Sequence, residues 1–205
     1  MNTRSLILNS ARIGPFEAGM ARRQSDRQGL VQVQMSAGML THVAQIGTWI
    51  GGWDALAARL TNFMPVPSET GRSAWQGGDW IARIGPEEML LVAASGSTLP
   101  QHIATAVPSD LGHSLDLSHA RCRLRMRGSG VVASLQKLFA LDFREPAFGV
   151  GEVRQSGSHH LPALWHRVDA DAFDVYLHTT YARDQVESVF DAALEWGAEL
   201  SVGLG

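Results

Sequence analysis

The stretch WIARIGPEEMLLVA, residues 80–93, predicts a β-hairpin. Its two apolar runs, residues 80–84 and 89–93, are separated by the turn sequence GPEE, in which glycine and proline favour a reversal of the chain. A second hairpin is predicted where residues 161–168 and 173–178 flank the turn sequence DAD. Each hairpin follows one helical pattern and precedes another, which indicates an α+β fold.

The two halves of the chain can be aligned with each other. Leu56 falls on Leu135 at an offset of 79 residues, and Arg83 falls on Arg167 at an offset of 84. Each half then has the order strand, helix, hairpin, helix. This order predicts a duplicated α+β unit with ferredoxin-like, or split βαβ, halves. Chance similarity between two ordinary α+β segments is the alternative.

The duplication divides the chain into three parts. Residues 1–27 are an arginine-rich arm without a sustained period, expected to be disordered or to lie over a neighbouring protein. Residues 28–112 form the first α+β half, and residues 113–205 form the second half. We expect the two halves to pack into one body.

Shorter patterns complete each half. Residues 30–35 alternate as a strand does, residues 36–51 are predicted to be a connection, and residues 71–78 a glycine-rich loop. Near the C-terminus, Thr179 or Thr180 can cap the last helix. Apolar positions on these patterns are expected in the core: Trp53, Leu56, Leu135, Phe139, Phe173, Val175, Val189 and Phe190.

Composition limits the classes of function. The chain of 205 residues has 17 basic and 20 acidic residues, and this net charge of −3 argues against an electrostatic nucleic-acid binder. No apolar run approaches the ~20 residues of a membrane span, and the first residues lack a secretory apolar region, so we expect a cytoplasmic protein. The single cysteine, Cys122, excludes an intrachain disulfide framework.

The sequence RCRLRMR, residues 121–127, alternates arginine with apolar residues. Because successive side chains of a strand point to opposite sides, the four arginines share one face. Such a face can bind a carboxylate-bearing ligand or an acidic patch of a partner. It can also be a solvated sheet face that pairs with acids such as Asp174 or Glu152.

We take two groups of arginines as candidate partner contacts. Sixteen of the seventeen basic residues are arginine, and the chain has six tryptophans; both residue types are enriched at protein interfaces. Charge reversal at Arg123 and Arg125 is expected to weaken assembly without unfolding the chain. The candidates are Arg12, Arg22, Arg23 and Arg27 in the arm, and Arg121, Arg123, Arg125 and Arg127 on the strand.

Other candidate sites have less support. Residues 128–133 fit the dinucleotide pattern G-x-G-x-x-A, but the preceding strand is half arginine, so a tight strand-to-helix turn is expected instead. The histidines lack metal-ligand spacing. Asp116, Ser118 and His119 are too close in sequence to form a hydrolase triad. No residue is therefore assigned a catalytic, cofactor-binding or metal-binding role.

Five segments of the chain together resemble one known family. They are RIGPEEMLLV at residues 83–92, DLSH at 116–119, LRMRG at 124–128, LDFREPAFGVG at 141–151 and FDVYLHTTY at 173–181. In order and spacing they resemble the gamma subunit of heterotetrameric sarcosine oxidase, with Thr180 where serine is usual. The resemblance covers residues 28–197. That family is similar to the folate-binding fold of glycine-cleavage T-protein.

The resemblance implies a function. The chain would be the non-catalytic gamma subunit of an αβγδ flavoenzyme that oxidatively demethylates sarcosine or a related N-methyl amino acid. Its partners would be the alpha, beta and delta subunits, mainly alpha, which it would stabilise while helping to enclose the reaction chamber. This chain would hold no cofactor, whereas FAD, FMN, NAD, zinc and tetrahydrofolate would be held by the partner subunits.

The chain departs from the related families at two places. Met89 replaces the usual tryptophan of the hairpin, and residues 157–162 lack the paired aspartates that serve folate chemistry in T-protein. We therefore expect no independent folate catalysis. Two alternatives remain: a free-standing folate-dependent aminomethyl or methyl transferase of T-protein type, and a scaffold that uses the same fold to hold an unrelated partner.

Overall fold

A computed structural model describes residues 15–16, 21–158 and 161–203. The strands of this part are β1 (Ala21–Gln24), β2 (Val33–Met39), β3 (His42–Thr48), β4 (Ser73–Gln76), β5 (Asp79–Gly85), β6 (Glu88–Ala93), β7 (Gly112–Asp116), β8 (Arg121–Arg127), β9 (Val153–Ser158), β10 (Leu161–Asp169), β11 (Ala172–His178) and β12 (Ala198–Val202). The α-helices are α1 (Trp53–Leu60), α2 (Leu99–Ala106), α3 (Val131–Gln136) and α4 (Ala182–Ala193).

The strands form two sheets that repeat one topology. The larger sheet has the order β1-β12-β2-β8-β11-β10-β9, and the smaller has the order β4-β5-β6-β3-β7. Read from β9 and from β4, the two orders correspond strand by strand. Strands β9, β10, β11, β8 and β2 of the larger sheet are equivalent to β4, β5, β6, β3 and β7 of the smaller one. Each half of the chain thus contributes its first strand to the sheet of the other half. The predicted α+β duplication is confirmed, and this exchange of strands joins the halves.

The halves meet near an approximate twofold axis. The backbone amide of Ser73 donates to the carbonyl of Gly151 at 2.9 Å, and the amide of Val153 donates to the carbonyl of Gly71 at 2.8 Å. An offset of 80 residues places Ser73 on Val153 and Gly71 on Gly151, so each bond is the counterpart of the other. The repeat is therefore preserved in individual hydrogen bonds.

Two aligned arginines make the same contacts in each half. Arg83 and Arg167 both lie beside a β-bulge of their hairpin. In each, Nε and Nη2 donate to the carbonyls two and three residues ahead, and Nη1 donates to a carbonyl of a distant loop, Ser68 or Phe148. Each guanidinium thus holds its hairpin turn against the body of the protein.

The core is arranged in four layers. Helices α3 and α4 cover one face of the larger sheet, helices α1 and α2 cover one face of the smaller sheet, and the remaining two faces pack together. Seven of the eight expected core residues are buried, whereas Trp53 is partly exposed, with the Arg83 guanidinium 3.5 Å from its ring centroid. None of the helices in the described residues has the length and apolar character needed to cross a bilayer.

Several predictions about single elements were wrong. Residues 36–51 include strand β3, and residues 71–78 include strand β4. Strand β3 lacks a regular alternation because both of its faces are covered, and β4 is a short edge strand. Thr179 and Thr180 do not cap α4; the hydroxyl of Thr179 donates to the carbonyl of His119 instead.

The N-terminal arm is also more ordered than expected where the structure describes it. Ala21–Gln24 forms β1, which pairs antiparallel with β12, a strand that the sequence pattern did not predict. Both strands are short and lie at one end of the larger sheet, so few side chains could display a period. Residues 1–14 and 17–20 lie outside the described part of the chain.

Candidate functional site

The arginines of β8 share one face of the larger sheet, as predicted. That face is turned toward the smaller sheet, and the alternating apolar residues pack under helices α3 and α4. Arg121, Arg123 and Arg125 are half-buried, and Arg127 is exposed. Burial lowers the pKa of Arg121 below its ordinary value. The arginine face is therefore mostly part of the interface between the sheets, not an open docking surface.

Arg125 is paired with a fully buried carboxylate. Its Nε and Nη2 donate to Oδ1 and Oδ2 of Asp174, each at 2.6 Å, and the hydroxyl of Tyr176 donates to Oδ2 at 3.2 Å. The hydrogen bonds to Asp174 raise the pKa of Arg125, and burial raises the pKa of Tyr176 well above its ordinary value. Asp174 is therefore a partner of this face, as one of the two pairings suggested by the sequence required.

The other proposed acid, Glu152, does not contact β8. Its carboxylate pairs with Arg72 at 3.2 Å and with Arg154 at 2.7 Å, near the twofold axis. The expectation that charge reversal at Arg125 leaves the fold intact conflicts with this geometry. A carboxylate at that position would face the buried Asp174, and two unneutralised carboxylates in contact would repel each other.

A cavity of about 320 Å³ lies between the two sheets, beside Arg125. Arg123 and Arg125 line one wall, and Trp75 and Trp80 line another. Within the described part of the chain, Arg123 forms no salt bridge, unlike Arg125. The cavity can hold an anion against the Arg123 guanidinium, and the residues of its lining that carry a hydroxyl are Thr41 and Ser95.

A second polar group between the sheets is an imidazole. His166 is fully buried, and its Nε2 lies 2.9 Å from the hydroxyl oxygen of Ser73, which itself donates to the carbonyl of Gly151 at 2.8 Å. The hydroxyl must therefore accept from Nε2–H, which leaves Nδ1 as an acceptor with no hydrogen-bond partner among the described residues. Desolvation lowers the pKa of His166 to about 4. This neutral imidazole, packed against Trp75 and Trp80, is a structural group.

Two of the arm arginines, Arg22 and Arg23, lie on strand β1. Arg12 is outside the described residues. Arg22 lies over the ring of Phe190, 4.5 Å from its centroid, and Arg23 and Arg27 are exposed. Strands β12 and β2 separate β1 from β8, so Arg22 and Arg23 do not lie next to the arginines of β8.

The residues tested as catalytic candidates have structural roles. The hydroxyl of Ser118 donates to Oδ1 of Asp116 at 2.5 Å and accepts from the amide of Val43 at 3.0 Å. The hydrogen bonds from Ser118 lower the pKa of Asp116. Burial raises the pKa of the Cys122 thiol to about 12, so it is protonated at neutral pH.

The glycine-rich segment after β8 is a close backbone contact. Gly128 has φ +122°, and a Cβ there would lie 2.1 Å from the carbonyl oxygen of Gln32. Only glycine fits this conformation and this approach, which explains the motif without a nucleotide. Across the described ranges, no three His, Cys, Asp or Glu side chains are grouped so that they could hold a metal ion.

Sequence reasoning missed the polar groups buried between the sheets. Asp174 was considered only as a partner of a solvated arginine face, and His166 was not considered. A signal was present, because each is a polar residue within an otherwise apolar strand: LWHRV for His166 and FDVYL for Asp174. A buried polar side chain needs a partner from another strand, and that partner cannot be identified before the topology is known.

Comparison with known proteins agrees with the resemblance. No protein-family model matches the chain. Sarcosine oxidase subunit gamma of Corynebacterium sp. (strain P-1) is 26% identical over 195 residues, which cover 93% of this chain and 94% of that protein. Sarcosine oxidase subunit gamma of Arthrobacter sp. is 28% identical over 148 residues, or 72% of each chain. The predicted resemblance to sarcosine oxidase gamma subunits is confirmed.

Two solved structures share the fold. A chain of heterotetrameric sarcosine oxidase from Corynebacterium sp. U-96, solved in complex with pyrrole 2-carboxylate, matches with a TM-score of 0.68 and 22% identity, covering 87% of this chain and 85% of that chain. Glycine cleavage system aminomethyltransferase T from Bartonella henselae matches with a TM-score of 0.62 and 12% identity. The match covers 84% of this chain and 48% of that chain. The predicted likeness to the T-protein fold is confirmed.

Proposed function

We propose that this chain is the gamma subunit of a heterotetrameric flavoenzyme that oxidatively demethylates sarcosine or a related N-methyl amino acid. The observation that carries the proposal is the similarity to a curated gamma subunit over 93% of the chain and 94% of that relative. The shared fold extends over nearly the same length of the sarcosine oxidase chain. The likeness therefore concerns the whole subunit, not one common module.

We infer that the subunit itself is not catalytic. Two polar side chains buried between the sheets each bind a structural partner: Asp174 binds Arg125, and Nε2 of His166 binds the hydroxyl of Ser73. The buried thiol of Cys122 is protonated, which makes it a poor nucleophile. These groups hold the two sheets together, which suits a subunit whose role is to support its partners.

We also propose which subunit this chain contacts and which subunits hold the cofactors. The chain contacts mainly the alpha subunit, stabilises it and helps to enclose the reaction chamber, in the cytoplasm. The beta and delta subunits complete the assembly. FAD, FMN, NAD, zinc and tetrahydrofolate are held by these partners. The similarity to named gamma subunits supports an assembly, and the division of cofactors among partners is an expectation from the resemblance.

The arginines proposed as partner contacts differ in their exposure. Arg127, Arg23 and Arg27 are exposed and suit partner contacts, whereas Arg125 is committed to Asp174. Arg121 and Arg123 are half-buried and line cavities at which a partner would contact them. Arg12 and Arg22 remain candidates, Arg22 beside the ring of Phe190.

Co-expression of the four subunits, with and without this chain, tests the proposal. We expect sarcosine oxidation by the complete assembly, a lower yield of the alpha subunit when this chain is omitted, and no activity from this chain alone. Full activity and yield without the chain would contradict the proposal. Micromolar binding of tetrahydrofolate by the isolated chain, measured by calorimetry, would favour the transferase alternative instead.

A further inference from the structure

The approximate twofold symmetry fails at one end of the sheets. Strands β2 and β7 are the equivalent, exchanged strands of the two halves. The outer edge of β2 is covered by β12, which runs parallel to it. Strand β7 is the last strand of the smaller sheet, and no described residue pairs with its outer edge. The position that β12 fills in the larger sheet is thus open in the smaller one.

The open edge presents backbone hydrogen-bonding groups. The amide of Leu117 donates to the carbonyl of Val43 at 2.7 Å, so Leu117 belongs to the set of residues bonded to β3. Along an antiparallel strand, residues bonded to one neighbour alternate with residues whose N–H and C=O point the other way. The backbone groups of Ser114 and Asp116 therefore point to the open edge, where an added strand would find them.

Exposed apolar side chains border the same edge. Leu115 is 53% exposed, and Trp49 and Ile50, at the end of β3, are 52% and 98% exposed. Trp49 is held in place by ring contact with His113, with 5.6 Å between the ring centroids. Exposed apolar side chains next to unpaired backbone groups are typical of a protein contact.

The helix side of the edge has room for inserted side chains. A cavity of about 240 Å³ lies there, lined by Leu91, Pro100, Ile103 and Ser114 among others. In the larger sheet, the corresponding strand β12 packs its alternate side chains, the first at Ala198, into the core under α4. An added strand with small or aliphatic residues on this side would fill the equivalent space under α2.

The charge around the edge indicates the chemistry of the partner. Asp110 precedes β7 and Asp116 ends it; both are exposed, and neither forms a salt bridge with any described residue. The hydrogen bonds from Ser118 lower the pKa of Asp116 most, and the charges of His119 and His42 lower it further. An arginine or lysine on the added segment would complement these carboxylates.

We propose that β7 accepts an extended, basic segment of another subunit of the assembly, added parallel to β7 as β12 is added to β2. This inference rests on the proposed function, which supplies the partner subunits. A second copy of this chain fits less well, because two β7 strands related by a twofold axis would pair antiparallel. The observation that carries the proposal is the strand that occupies the equivalent position in the other half.

Substitution of Ser114 tests this edge in the co-expressed assembly. Ser114→Pro removes an outward N–H and spares the hydrogen bonds to β3, and Ser114→Ala is the matched control that keeps the N–H. With a tagged chain, we expect Ser114→Pro to lower recovery of the partner subunits about tenfold, and Ser114→Ala to recover them as the wild type does. Recovery by Ser114→Pro equal to that of Ser114→Ala would contradict the proposal.

Hydrogen–deuterium exchange of the wild-type assembly gives a second test that needs no variant. Peptides covering residues 112–116 should be as protected as those of the central strand β3. Rapid exchange of these residues in an intact assembly would overturn the β7 inference and leave the proposed function standing. If the wild-type chain recovers no partner subunits, the proposed function fails; if it recovers only copies of itself, a second copy occupies the edge and the inference is wrong.

Discussion

Replacing Arg125 with methionine tests whether the arginine face of β8 belongs to the interior. The guanidinium makes two hydrogen bonds of 2.6 Å to Asp174, whose side chain is fully buried. Removing one member of a buried ion pair costs about 3–5 kcal/mol, because the other charge stays buried without its partner. We expect the lower end, about 3 kcal/mol, because the Arg125 side chain is 28% exposed and water can enter the vacated space.

The free energy of unfolding can be measured by urea titration with tryptophan fluorescence, since Trp80 and Trp165 are buried. A loss of about 3 kcal/mol corresponds to a decrease in Tm of about 6–12 °C for a chain of this size. The matched control is Arg127→Met on the same strand, where the side chain is exposed and the expected change is within about 0.5 kcal/mol.

A double variant separates the stranded charge from lost packing. Arg125→Met with Asp174→Asn removes both charges and still offers an oxygen to the hydroxyl of Tyr176. We expect it to recover at least half of the stability lost in Arg125→Met. The reasoning is refuted if Arg125→Met unfolds at the urea concentration of the wild type, or if the double variant is less stable than the single one.

Three further expectations follow from buried groups and close contacts. Arg167→Met should destabilise the fold by about 3–5 kcal/mol and Arg83→Met by about 1–3 kcal/mol in urea titration. The reason is that Arg167 and its hydrogen bonds are more deeply buried than Arg83 and its hydrogen bonds. Equal losses would be inconsistent with this. Gly128→Ala should lower stability by about 2–4 kcal/mol. The control is Gly157→Ala, where a Cβ meets open space and the melting temperature should change little. A Gly128→Ala variant as stable as the wild type would argue against the close contact. The pKa of His166 is lowered to about 4, so the unfolded state binds more protons than the folded state, and stability should fall by about 3 kcal/mol as pH decreases from about 6.5 to 4. His166→Phe should remove this part of the pH dependence, and an unchanged profile would show that another group causes it.

The sequence predicted which side chains share a face, but not where each face points. In RCRLRMR the alternation places the arginines together, and the usual interpretation of such a strand is one wet face. Here both faces of the larger sheet are covered, one by helices and the other by the second sheet. Arg121, Arg123 and Arg125 are consequently half-buried, which a pattern along one strand cannot reveal.

The duplication was visible because it preserved chemistry at fixed positions. Arg83 and Arg167 aligned in the sequence, and the structure gives both the same three kinds of carbonyl contact. The exchange of β2 and β7 was not predictable, because a strand's pattern does not specify the sheet it joins. Strand β3 was missed for a related reason, since its two covered faces remove the alternation.

Recovery of the tagged chain from its native cells tests the central claim most directly. The native mass and the visible absorption spectrum would be recorded on the same sample. The account predicts a yellow assembly several times larger than the 22.2 kDa of this chain, with other subunits present in equal amounts. A colourless species of about 22.2 kDa, recovered without flavoprotein partners, would contradict it.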